Sequence, residues 1–134
     1  MAQWKGRIPA GRTLHQPVIS LDILPTTLAA AGLGPSTKEL DGVNLLPLLT
    51  GATHRAPHEI LFWRYDRAIA IRRGDWKLVR QPAGPKAQDP AFEPYNLASD
   101  IAETRNLASA EPARVAKMRA ELDALNAQMA ATLW

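Results

Sequence analysis

The 134 residues carry 46% hydrophobic and 22% charged side chains, a balance that suits one ordinary globular domain at most and excludes a disordered chain. No cysteine is present, which excludes a disulfide framework, a thiolate metal site and a thiol nucleophile. The formal net charge of +3 falls short of the dense Lys/Arg stripe of a dedicated nucleic-acid binder, the opening MAQWKGRIPAGR lacks the apolar segment of a signal peptide, and no run reaches the length of a membrane-spanning helix.

In chain order, Trp4 to Gly11 holds two glycines and a proline and reads as a loop with a turn. Leu21, Leu24, Leu28 and Ala31 then fall on one helical face, which predicts an amphipathic helix with Ser20 or Asp22 as its cap, Pro25 in its first turn and Gly32 as its terminator. Asp22 has a second reading as a ligand. Asp41-Gly42 predicts a turn, and Asn44 to Gly51 a short apolar helix with Pro47 in its first turn. His54 and His58 have the four-residue spacing of helical metal ligands, but Pro57 between them opposes a helix, so both read as surface loop residues with no metal partner. His15 also reads as a loop residue.

The run ILFWRYDRAIAIRRGDWKLVR, Ile60 to Arg80, predicts three antiparallel strands in a meander. Asp66-Arg67 forms the first break and Arg73-Gly74-Asp75 the second, with Gly74 at positive φ. Sequence parity alone does not place Ile69, Ile71, Trp76 and Leu78 on one face, so the turn register must decide that. Gln81 to Ala91 is a Pro/Gly loop. Phe92 to Leu97 predicts a fourth strand, which Pro94 confines to an edge or a bulge. From Pro112 to Leu133, the spacing of Val115, Met118, Leu122, Leu125 and Met129 predicts a long helix with one docked side. The first fifty residues offer helices without a sheet of their own to cover, which points to a larger protein.

Several stretches follow one another in a telling order: Trp4 to Gly11, Pro17 to Thr26, Asp41 to Leu49, Ala70 to Val79, and Tyr95 to Leu107. Together they resemble the C-terminal part of the sulfatase family, in particular arylsulfatases and N-acetylgalactosamine-6-sulfatases, hydrolases of the alkaline-phosphatase-like superfamily. Pro94, Asn96 and Ala102 stand where the family usually has Leu, Asp and Gly. The resemblance implies an α+β fragment of an α/β fold, with a small four-stranded antiparallel sheet packed by a long C-terminal helix. Residues 1–51 would end the catalytic α/β domain, and 52–134 would form the C-terminal subdomain.

The same resemblance places calcium and a formylglycine nucleophile in an N-terminal domain, the nucleophile arising within a Cys/Ser-x-Pro-x-Arg motif. That motif is absent from these residues, so no position inherits a catalytic, cofactor or metal role. The implied partners are the missing catalytic domain and a sulfated carbohydrate or aryl sulfate, with no nucleic acid and no membrane, and the implied setting is periplasmic or secreted. Substrate contact falls on Trp63, Arg64, Tyr65 and Arg67 at the first hairpin, where a ring can stack on a sugar and a guanidinium can meet an anion. The bland alternative is a core Trp63 with solvated arginines. Trp76 and Lys77, lying mid-strand, read as structural. Two other functions stay open. One is a different hydrolase of the superfamily. The other is a β-sheet platform for single-stranded nucleic acid, built from Arg64, Arg67, Arg72, Arg73, Lys77 and Arg80 among aromatic side chains.

Overall fold

The computed structural model describes residues 1–34, 40–84, 86 and 88–129. It divides into two compact units, Met1–Glu59 and Ile60–Trp134.

In the first unit a short 3-10 turn, Ser20–Asp22, leads into helix α1, Ile23–Ala30, and a second helix, α2, spans Leu46–Thr50. Pro25 sits in the first turn of α1 and Pro47 at the start of α2, where a missing N–H costs nothing. The expected terminators Gly32 and Gly51 take left-handed φ of 71° and 87°. Asn44 precedes α2 and accepts the Leu46 N–H at 2.9 Å. The apolar face expected of α1 is not buried: Leu21 and Leu24 are exposed, and no residue of α1 is fully buried.

Asp22 differs from the expected cap. It occupies the residue before α1, yet its carboxylate makes no cap bond to that helix. It is completely buried, its Oδ2 accepts the Ile19 N–H at 3.0 Å, and its Oδ1 accepts the Val43 N–H at 2.9 Å. His58 Nε2 lies 2.9 Å from both oxygens, so His58 is a hydrogen-bond partner of the buried carboxylate and not a free surface residue. The carboxylate thereby ties together three segments far apart in sequence. Drawing Val43 onto Asp22 presses Gly42 against the backbone of the 3-10 turn, where an added Cβ would lie 2.0 Å from Leu21 O. Gly42→Ala is therefore expected to cost about 1–3 kcal/mol, the usual range for overpacking. Thermal melts showing no loss in this variant would contradict the close approach.

The second unit holds β1 (Leu61–Tyr65), β2 (Ala68–Arg73), β3 (Trp76–Arg80), β4 (Glu93–Asn96) and helix α3 (Pro112–Gln128). The strands form one antiparallel sheet in the order β1-β2-β3-β4. Two-residue turns join the first three, with Asp66 at φ 50° and Gly74 at φ 58°. Glycine suits the second of these because it carries no Cβ to clash there.

The register settles the question that parity left open. Ile71 faces Leu78, Arg73 faces Trp76 and Ile69 faces Arg80, so Ile69, Ile71, Trp76 and Leu78 share one side of the sheet. Ile69, Ile71, Leu78 and Phe92 form the core with Met118 and Leu122 of α3, flanked by Phe62, Trp76, Val115 and Leu125. Each large apolar side chain buried there contributes about 1.5–3 kcal/mol. Arg114 lies 4.0 Å over the Trp76 ring, and Arg80 and Arg119 lie 5.2 and 5.3 Å from the Phe92 centroid, so arginine stems and guanidinium planes seal the core edge.

Two expectations about the ends of elements change. Met129 does not join the seam of α3: the helix ends at Gln128, and Met129 turns into extended backbone and is 42% exposed. The remaining predicted turn, 130–133, lies outside the described residues, as do 35–39 and positions 85 and 87 of the expected loops. Pro94 lies on an edge strand opposite Leu78, and its carbonyl accepts the Leu107 N–H at 3.1 Å. Its backbone thus faces away from β3, at a position where no ladder donor is required.

Candidate functional site

The side of the sheet opposite α3 is formed by Leu61, Trp63 and Tyr65 of β1, Ala68, Ala70 and Arg72 of β2, Lys77 and Val79 of β3, and Glu93 and Tyr95 of β4. Strand periodicity of two produces this set directly from the register. Ala68 and Ala70 leave a shallow floor between larger neighbours. The loop after β4 overhangs it through Leu97, Ile101 and Glu103, enclosing a cleft of about 470 Å³. Trp63 is 38% exposed, Tyr65 79% and Ile101 77%, so the rim is aromatic and apolar.

The overhang is held by short-range polar chemistry. Asp100 accepts the Thr104 N–H at 3.1 Å and the Arg105 N–H at 2.8 Å, and these backbone donors hold its carboxyl below the ordinary carboxylate value. Glu103 adopts φ 55°, a left-handed conformation costly for a residue with a Cβ, and both its oxygens accept from Lys77 Nζ, at 2.6 and 2.8 Å. Tyr95 donates to Glu93 Oε2 at 2.7 Å. That bond to a carboxylate, with burial, raises the phenol to about 12, so Tyr95 stays protonated at neutral pH and supplies no general base there.

The four residues expected to contact substrate do not converge. Trp63 and Tyr65 project onto the open face, whereas Arg64, one step out of phase, points to the helix side and donates to Asn126 Oδ1 of α3 at 3.0 Å. Arg67 sits on the turn and pairs with Asp89. Arg72 and Lys77, by contrast, reach the cleft. The six cations of the proposed nucleic-acid platform are likewise divided: Arg73 pairs with Glu121 and Arg80 with Asp89 on the helix side, while Arg72 and Lys77 lie on the other. They do not form one stripe. Strand parity was the available signal for Arg72; nothing in the sequence indicated the overhang.

No family model matches the chain. Human arylsulfatase A is 31% identical over 159 aligned residues, which take in 99% of this chain. The chain is a sulfatase relative. N-acetylgalactosamine-6-sulfatase from Canis lupus familiaris is 40% identical over 78 residues, 58% of the chain. A crystal structure of Ps i-CgsB in complex with k-i-k-neocarrahexaose superposes with a TM-score of 0.71 at 26% identity, covering 91% of the chain. The sulfatase-related chain spans only part of each: 31% of arylsulfatase A, 15% of the canine enzyme and 27% of the Ps i-CgsB chain. Its four-stranded sheet and closing helix fit a fragment of an alkaline-phosphatase-like fold.

Proposed function

We propose that this chain is the C-terminal portion of a sulfatase that hydrolyses sulfate esters of a sugar or aryl alcohol, contributing substrate recognition and cover and no catalytic group of its own. The observation that carries this is the match to arylsulfatase A along 99% of the chain and only 31% of that enzyme. Sulfate ester hydrolysis requires an oxygen nucleophile, a hard cation, fixed positive donors and an acid for the leaving alcohol. These residues do not supply that set. Among the described residues no group of three or more His, Asp or Glu side chains is placed to hold a metal ion, so the donors do not fit calcium, and the reading assigns calcium and the formylglycine nucleophile to an N-terminal catalytic domain.

On this reading residues 1–51 complete that catalytic domain and 52–134 form the C-terminal subdomain. The exposed Val18, Leu21, Ile23, Leu24 and Leu33 support it, since so many large apolar side chains exposed within one short stretch suit an interface. Trp63 and Tyr65 take the sugar or aryl face of the leaving group. Arg64 braces α3, and Arg67 shapes the hairpin. The name of the canine relative, an N-acetylgalactosamine-6-sulfatase, favours a sulfated sugar.

The test is hydrolysis of p-nitrophenyl sulfate by the purified chain, alone and combined with a sulfatase catalytic portion truncated where this chain's similarity begins. No turnover alone and restored turnover together are expected. Turnover by the chain alone, abolished by a substitution within it, would overturn the assignment of roles.

A further inference from the structure

We infer that the cleft on the open face is an anion-recognition site in which Arg72 binds a charged substituent of a saccharide. The inference rests on the sulfatase reading for the class of ligand, and on the following geometry for the site.

Arg72 and Lys77 are direct cross-strand neighbours. Like charges in that position repel and weaken a sheet. One carboxylate in the cleft answers them, and it is committed: Glu103 holds Lys77 through both oxygens, at 2.6 and 2.8 Å. Glu93 shares the face but is engaged by Tyr95 and does not line the cleft. Among the described residues the hydrogen bond of the Arg72 guanidinium runs from Nε to Gly74 O at 2.8 Å. That bond fixes the plane of the fork and leaves its two terminal nitrogens as donors, the geometry that binds a sulfate or carboxylate through two parallel bonds. The cleft therefore carries one surplus, oriented positive charge.

The surroundings specify what brings the anion. Trp63 pairs with Ala70, which makes Arg72 its diagonal neighbour, about 7–8 Å away between side-chain origins. One pyranose ring stacked on the indole, with a charged substituent, spans that distance. A cleft of about 470 Å³ is in the size range of small-ligand sites, and its apolar rim of Leu97, Ile101 and Val79 suits the faces of a sugar. An isolated sulfate ion would satisfy the guanidinium and leave the indole unused. The ligand is thus a saccharide whose ring stacks on Trp63 and carries the anionic group that meets Arg72.

The experiment is calorimetric titration of the full chain with a disulfated disaccharide, its monosulfated and unsulfated counterparts, and sodium sulfate, all at one low ionic strength. The disulfated sugar is expected to bind tightest, with the unsulfated sugar and the free ion each weaker by an order of magnitude or more. Arg72→Gln removes a charged hydrogen bond and is expected to weaken the disulfated sugar about 10- to 100-fold, while Arg72→Lys, which keeps charge without the fork, falls between. Glu103→Gln removes the opposing charge and is expected to tighten binding. Opposite signs from two neighbouring polar substitutions would not follow from a merely structural cleft. Equal affinities for sulfated and unsulfated sugars, or unchanged affinity in Arg72→Gln with an unchanged melting temperature, would overturn the subsite. So would failure of every saccharide to bind while Arg72→Gln weakens association with a sulfatase catalytic portion, since the guanidinium would then serve a protein contact. Restored hydrolysis without saccharide binding would remove the subsite and leave the sulfatase reading standing; saccharide binding without restored hydrolysis would do the reverse.

Discussion

Leu122→Ala is expected to destabilise the second unit by about 2–5 kcal/mol, the range for emptying a fully buried leucine site. Leu122 is 1% exposed and packs in the cluster with Ile69, Ile71, Leu78, Phe92 and Met118. Because α3 covers the helix side of β2 and β3, the cavity opens at the middle of the core, where neighbours on strands have little freedom to close it. Glu121 is a poor comparison, since it accepts from Arg73 Nε at 3.1 Å. Asp123 is the better one: it is exposed, and its link to Arg119 is a 3.6 Å surface pair, so Asp123→Ala is expected within about 0.5 kcal/mol of the parent. Urea unfolding followed by circular dichroism measures both. Coincident midpoints for Leu122→Ala and Asp123→Ala would show that α3 does not pack on the sheet through this residue.

The second large effect is expected at Asp22. Replacing it with alanine strands the Ile19 and Val43 N–H groups and leaves His58 without its carboxylate, and each buried donor left unsatisfied typically costs about 1–3 kcal/mol. The acid side of the stability curve carries an independent sign. Burial alone would raise the Asp22 carboxyl, but the Ile19 and Val43 N–H groups and His58 outweigh it and hold the group below its ordinary 3.8. A carboxyl lowered on folding adds stability that is complete above its unfolded value and disappears as pH falls through the folded one. The parent should therefore lose stability on acidification from about pH 4 downward, through the interval between those two values. Asp22→Ala should be less stable at neutral pH and show a flatter acid limb. Parallel acid limbs for the two proteins would rule out a coupled carboxylate at this position.

The meander was legible because its signals are local. Asp66-Arg67 and Gly74 mark turns by chemistry confined to two residues, and the alternating runs between them fix strand length. Pro94 likewise announced an edge. Asp22 was not legible in the same way: its bonds reach Val43 and His58, 21 and 36 residues further on, and a cap and a buried hydrogen-bond hub look identical in the sequence. Apolar spacing placed Leu21 and Leu24 on a common face correctly in phase, but phase does not say whether anything covers that face. At the candidate site the strand period already separated Arg64 from Trp63 and Tyr65. Grouping them by proximity in sequence obscured it. Met129 kept the helical phase of the seam after the helix itself had ended, which no periodicity can register.

The sealing of β4 bears on how this sheet behaves in crowded solution. A sheet margin with free donors and acceptors is a template on which other chains can assemble into fibrils. Along β4, Pro94 offers no donor, and its outward carbonyl is already taken by the Leu107 N–H. An incoming strand would find no matching pair of groups at the centre of a four-residue margin. Replacing Pro94 with leucine would return a donor to that margin, but beneath the segment that already covers it, where Leu107 N–H takes the carbonyl of residue 94 and Ser99 and Asp100 N–H take that of Asn96.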